Sequence, residues 1–320
     1  MSIFISIASY CDPVLPFTLR RAVQRARWPE RLHFAVIDQS PLDQPALDEA
    51  PLAPARVSVV RIDPLQARGP CWARALAMSL YSGEHWFFQI DSHTDFDPYW
   101  DERLIAQAMA LHAIKPAFVI SAYPRAFDLV DGEPVHQNVT TNMMANVVKP
   151  DSTFDPDHPV LLFRAKRFQS DQPVRGFHVG GNCLFAPASF VKYFPYDPFL
   201  YFHGEEQALA ARLYTHGWDI FHTPDLPVYH LYRTEDSKAP PRPLHWDEDQ
   251  DARRKQTWWP LEMRSRARAK ALLELRQDLG VYSLGNVRSL EDYARFSGID
   301  YAARTLSPLA YEGPWQTATP

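Results

Sequence analysis

The stretch of the chain best equipped for chemistry is Trp86-Phe87-Phe88-Gln89-Ile90-Asp91-Ser92-His93-Thr94-Asp95-Phe96. A hydrophobic strand pattern runs straight into carboxylates, a hydroxyl and an imidazole. In open α/β sheets, ligands bind just beyond the carboxyl ends of the strands. Extended backbone points residues i and i+2 the same way, so Asp91 and His93 are expected to face one ion together. A carboxylate oxygen with an imidazole nitrogen suits Mn²⁺, with Mg²⁺ as the harder-ligand alternative. Such an ion would neutralise a diphosphate and help a nucleoside diphosphate to leave. Asp-x-His by itself also describes a strand-end turn in which Asp91 caps neighbouring backbone and His93 is merely solvated.

The elements around this segment alternate. Residues 3–9 (IFISIAS) form an apolar, β-branched run closed by Cys11-Asp12-Pro13, the pattern of a buried first strand. A helix is expected over 16–27, strands over 32–38 and 56–62, and a helix over 70–81 that leads into the strand 86–90. A helix over 99–112 and a strand over 117–122 follow. Strands alternating with helices imply a mostly parallel sheet covered on both faces. Beyond Arg125 the stretches 128–160 and 235–250 are rich in Pro and polar residues and read as loops over the active face. Strands are expected at 177–186, 219–222 and 228–231, with helices over 205–216 and 261–279.

Composition narrows the class. The chain has 320 residues, 46% hydrophobic and 22% charged, with a formal net charge of -5, so nothing supports a nucleic-acid footprint. Cys11, Cys71 and Cys183 lie far apart without a CxxC pair, which argues against a disulfide framework or a zinc ribbon. The opening MSIFISIASYCDP lacks a basic leader and reads as a strand, and no run approaches the length of a membrane span. These features give a cytoplasmic expectation.

Five segments carry a resemblance: IFISIASYCDP at 3–13, RGPCWARALAMSLYSGEHWFFQIDSHTDF at 68–96, GGNCLFAP at 180–187, FHGEEQALAARLYTHGWDIFHTP at 202–224, and VYHLY at 228–232. In this order they resemble the GlcNAc-transferase family that includes the Skp1 hydroxyproline N-acetylglucosaminyltransferase. More distantly they are similar to the polypeptide N-acetylgalactosaminyltransferases. The resemblance implies a GT-A fold, an α/β Rossmann-like architecture with a mostly parallel central sheet, flanking helices and a helical C-terminal extension. It divides the chain into a glycosyltransferase domain over 1–235, with a donor half to about 125 and an acceptor half from 126, and an extension over 236–320.

The site residues follow position by position. Asp91 and His93 match the family's metal-binding Asp-x-His motif, and His230 matches the histidine that completes the metal site. Ser9, Tyr10 and Asp12 follow the first strand, where such enzymes bind uracil and ribose; Asp12 alternatively caps a turn before Pro13. Arg68 and Arg74 flank Gly69 at a helix start, a setting that favours phosphate. Gly180, Gly181 and Asn182 allow a close backbone approach to a sugar, or form a β-bulge. Glu205 matches the acidic residue placed against the donor sugar and is the weak candidate for a nucleophile, whereas Glu206 would support the helix start. Trp218 reads as a core aromatic.

The implied reaction is metal-dependent transfer of N-acetylglucosamine from UDP-GlcNAc to an acceptor hydroxyl with retention, Arg68 and the metal stabilising the departing diphosphate. Alternatives are the same fold with UDP-GalNAc, UDP-glucose or UDP-galactose, or a nucleotide-sugar-binding protein without catalysis. The loops at 128–175 and 233–260 are expected to choose the acceptor, a protein hydroxyl, a glycan or a lipid-linked sugar. His136, Phe154, His178, Tyr201, His203 and Trp246 stand among or near them. The basic run Arg264 to Arg276 fits peripheral membrane contact or, alternatively, a helix packed on the domain with solvated arginines.

Overall fold

A computed structural model describes residues 1–317; the last three residues of the expected 236–320 extension lie outside it. The chain starts with β1 (Ile3–Tyr10), α1 (Leu15–Arg25), β2 (Leu32–Gln39), β3 (Arg56–Arg61), α2 (Pro70–Met78), β4 (Trp86–Asp91), β5 (Thr94–Phe96), α3 (Trp100–Ile114) and β6 (Phe118–Ser121). There follow β7 (Arg125–Val130), β8 (Glu133–His136), β9 (Met143–Val148), β10 (Phe163–Phe168), β11 (Val174–Gly176), β12 (Cys183–Pro187), α4 (Ser189–Tyr193), α5 (Glu205–Thr215), β13 (Asp219–His222) and β14 (Val228–His230). The last part contributes α6 (Glu248–Asp251), α7 (Trp258–Leu273), α8 (Leu290–Ser297) and a terminal strand Gln316–Thr317.

Nine strands form the central sheet in the order terminal strand, β11, β13, β6, β12, β4, β1, β2, β3. All run one way except β11 and β12, which pair antiparallel with their neighbours, so the mostly parallel expectation holds. Side chains alternate across it. Ile3, Ile5 and Ile7 of β1 and Phe88 and Ile90 of β4 enter the core shared with α1 and α3, while Phe4 and Phe87 enter the core on the opposite face. Both faces are buried, which is why these strands read as unbroken apolar runs. Helix α1 seals one face with Leu15, Leu19, Ala22 and Val23 at helical spacing.

Five expectations need correction. The stretch 128–160 is not all loop: β7 pairs with β8, and β9 pairs with β10. The strand expected over 177–186 is split, because β11 ends at Gly176 and β12 begins at Cys183, leaving 177–182 irregular beside the site. Helix α2 stops at Met78 and α7 at Leu273, short of 81 and 279. Segment 236–320 is more than a helical cover, since its terminal strand pairs with β11 at the sheet edge.

The basic helix α7 is tied into the fold. Arg266 pairs with Glu262 at 2.8 Å and Arg268 with Asp197 at 2.6 Å, while Arg276 just beyond it pairs with Glu291. Its Ala269, Leu272 and Leu273 are buried, as the packed-helix alternative expects, but Arg266 and Arg268 are paired with carboxylates and not merely solvated. No helix among the described residues is long and apolar enough to cross a membrane.

Candidate active site and metal centre

Strand β4 delivers Asp91 at its carboxyl end, and the chain then bends at Ser92 and His93 before resuming as β5. The pair was expected in extended backbone; instead the bend swings the His93 ring back over Asp91, with Nε2 3.8 Å from Asp91 Oδ2. Strand β14 pairs antiparallel with β5 so that His230 lies opposite Thr94, next to His93. That register brings His230 Nε2 to 3.0 Å from Asp91 Oδ2 and sets the two imidazoles edge to face, centroids 4.7 Å apart. One ligating atom from each of Asp91, His93 and His230 lies within 4.8 Å of the others.

The protonation states suit a cation. Burial works against ionising Asp91, but the His230 hydrogen bond and the Arg74 guanidinium outweigh it and hold the carboxyl well below the usual range. Burial lowers His230 to about 4, leaving a neutral imidazole, the form that binds metals. Oxygen from one carboxylate and nitrogen from two imidazoles is a donor set that fits Mn²⁺.

Behind the triad, Cys11 takes a positive φ of 45° at the end of β1 and turns Asp12 under it. His93 Nδ1 lies 2.7 Å from Asp12 Oδ2, which also accepts from the Ser92 hydroxyl at 2.6 Å, while Oδ1 accepts from the Val14 amide at 2.9 Å. Asp12 is therefore a turn cap and the orienting partner of a candidate ligand histidine. It fixes the tautomer that leaves His93 Nε2 facing Asp91.

Arg74 of α2 is the buried hub. Nη2 donates to Asp91 Oδ1 at 3.1 Å and to the Gly181 carbonyl at 3.0 Å, and Nη1 donates to Glu205 Oε1 at 2.8 Å and the Tyr196 hydroxyl at 3.0 Å. A Cβ on Gly181 would stand 2.7 Å from both Arg74 Nη1 and Glu205 Oε1, so the glycine makes room for this ion pair. Burial, opposed by Arg74 and assisted by Glu206, raises the Glu205 carboxyl above its usual range. Beside the triad opens a pocket of about 320 Å³, lined among others by Asp91, His230, Asn182, Glu206, His178 and Asn146.

Residues 42–303 match the family described as Glycosyltransferase (GlcNAc). The chain belongs to that family. The fold is similar to the crystal structure of GalNAc-T7 with UDP, GalNAc and Mn²⁺, at a TM-score of 0.59 and 14% identity, covering 92% of this chain and 54% of that one. The chain thus has the GT-A fold and spans about half the length of that relative. A structure of S. aureus TarS 1–349 aligns over 72% of this chain and 60% of that one, with 12% identity and a TM-score of 0.45. No curated protein matches the chain by sequence.

Within this glycosyltransferase, the residues expected in the site separate into groups. Asp91, His93 and His230 converge, and Arg74, Asp12, Gly181 and Glu205 surround them. Gly180 and Asn182 line the pocket with Glu206. Glu205 is only 5% exposed and is held by Arg74 and by the Tyr196 hydroxyl at 2.7 Å; Glu206, whose side chain is 39% exposed, presents the open carboxylate instead. Its Oε1 accepts from the Gly181 amide. Arg68 is exposed, sits over the Trp72 ring, and lines a different cavity of about 660 Å³ with Tyr201 and Arg264. Ser9 is buried and its hydroxyl has no partner among the described residues.

The remaining candidates are mostly accounted for by packing. His136 pairs with Asp95 at 2.7 Å and stacks on Tyr229, Phe154 packs on Tyr301, His203 pairs with Glu262, and Trp246 packs on Phe202. Trp218 is a buried core aromatic against Phe194, as expected.

Residues of the extension escaped notice in the sequence. Arg254 lies over the Tyr10 ring, donating to its hydroxyl and to the His245 carbonyl, and Arg242 donates to the Leu231 carbonyl at 2.8 Å. No periodicity marks them; the one signal is the cluster of arginines following His230 and the Pro-rich stretch.

Proposed function

We propose that this protein transfers N-acetylglucosamine from UDP-GlcNAc to an acceptor hydroxyl, with retention of configuration and dependence on a divalent cation. The observation that carries the reading is the Asp91–His93–His230 triad opening directly onto a pocket that contains one open carboxylate, Glu206. A bound Mn²⁺, or Mg²⁺, would supply charge for the diphosphate. Arg74 holds Asp91 ionised and oriented, and Asp12 holds His93. Gly181 and Glu206 shape the sugar side. The acceptor oxygen forms a bond to the anomeric carbon on the face from which the diphosphate leaves; the bond from that carbon to the phosphate oxygen breaks, and the hydroxyl proton passes to the departing phosphate. The donor's UDP lies toward the end of β1, with Ser9 and Tyr10.

Isothermal titration of UDP and UDP-GlcNAc, with and without Mn²⁺, on wild type and Asp91→Ala tests this. Binding that requires both the ion and Asp91 is the expected result. Equal binding without either, or no binding under any condition, would overturn the assignment.

A further inference from the structure

Two buried polar side chains in the pocket beside the triad each carry a nitrogen without a hydrogen-bond partner. Asn146 of β9 is 2% exposed, and its Nδ2 makes no hydrogen bond among the described residues. His178 is 1% exposed; its Nδ1 is unpartnered, and its Nε2 lies 3.5 Å from Glu206 Oε2, outside good hydrogen-bond geometry. Both line the pocket that Asp91, His230 and Glu206 also line. A buried polar group without a partner loses its hydration with nothing in exchange, so such a pair in one cavity points to a ligand that completes it.

Apolar surface adjoins these two groups. The His178 ring stacks flat on Phe163, centroids 3.4 Å apart, and Leu161 is 3% exposed in the same wall. Polar groups beside an apolar wall match an acetamido group, whose carbonyl accepts from Asn146 and whose methyl lies on the Phe163–His178 stack and Leu161. A bare hydroxyl would satisfy the amide and leave the apolar wall empty. The acceptor fits this corner poorly, because the exposed lip of the pocket is formed by Leu162 and Phe202, 50% and 36% exposed. What enters last meets the lip, and what binds first fills the buried wall. With the donor's diphosphate on the triad, its sugar is the group that fills it.

We infer that Asn146 and His178, with Phe163 and Leu161, form the subsite that reads the 2-acetamido group of the donor sugar. This rests on the nucleotide-sugar reading above and deepens it. Neither side chain touches the reacting carbon in this assignment; both act on which sugar is accepted.

The test is competition of UDP-GlcNAc and UDP-glucose against UDP on the full chain with Mn²⁺, for wild type, Asn146→Ala and His178→Gln. Wild type is expected to favour UDP-GlcNAc at least about tenfold, and Asn146→Ala to reduce that preference about three- to tenfold, the value of one lost hydrogen bond, with UDP affinity unchanged. Saturation-transfer NMR on wild type supplies a readout that needs no variant to fold: the acetyl methyl should receive the strongest saturation of the sugar protons. A preference that neither variant moves while UDP affinity is retained, or a weakly saturated methyl, overturns the subsite and leaves the nucleotide-sugar reading standing. Failure of wild type to bind UDP at all overturns both.

Discussion

His93 Nδ1 and Asp12 Oδ2 lie 2.7 Å apart, joining the Asp91–His93–His230 triad to the turn that ends the first strand. Asp12 is 7% exposed, and burial disfavours its charge, yet the His93, Ser92 and Val14 contacts keep the carboxyl below its usual range. Asp12→Asn removes the negative partner and lets the imidazole turn. Mn²⁺ affinity is expected to fall about 10- to 100-fold, measured by titration of the ion, while the thermal midpoint changes little. Unaltered affinity would show that His93 is oriented without Asp12.

Arg74 neutralises two carboxylates in a buried setting. Arg74→Ala leaves Glu205 and Asp91 without their counter-ion and should cost about 3–5 kcal/mol in urea unfolding. Arg74→Lys should recover only part of this, because an ammonium cannot span four acceptors with a planar fork. Full recovery with lysine would mean that charge alone matters here.

Gly181→Ala tests the close approach. The added Cβ meets Arg74 and Glu205 at 2.7 Å, so the ion pair or the backbone must shift. A loss of about 1–3 kcal/mol in stability is expected, together with weaker binding of UDP-GlcNAc relative to UDP. A variant equal to wild type in both measurements would show that the hub can give way.

His222 sets an acid limit. Its ring is fully buried and Nδ1 donates to the Ser121 carbonyl, and burial lowers it from 6.5 to about 4. Between those values the unfolded chain takes up a proton that the folded chain refuses. Stability is therefore lost as pH falls from 6.5 toward about 4, by on the order of 3 kcal/mol, with no contribution from this group above 6.5. Urea midpoints measured across that window should drop for wild type and drop less for His222→Gln.

How much could be read in advance depended on range along the chain. Strand β4 and the placing of Asp91 at its end followed from an apolar run meeting polar residues, and α1 from its spacing. His230 was legible only through the family resemblance, because its approach to Asp91, 139 residues away, depends on the pairing of β14 with β5. Local alternation predicted the meeting of Asp91 and His93 by the wrong route, since the backbone bends at Ser92. Glu205 and Glu206 are adjacent, and nothing in their types says which one Arg74 captures; the helix phase of α5 decides it. Asn146 sits in a stretch that reads as loop because Pro and polar residues mask the β9–β10 pairing.

The contact of Arg254 with Tyr10 joins residues 244 positions apart. During synthesis, the end of the first strand waits until residue 254 has emerged before this cover closes over it. Long-range closure of this kind slows folding and prolongs exposure of unfinished surfaces. A nascent chain stalled before residue 254 should display its first-strand face uncovered, so shortening the protein from its C-terminal end removes the cover on Tyr10 before it reaches Asp91, His93 or His230.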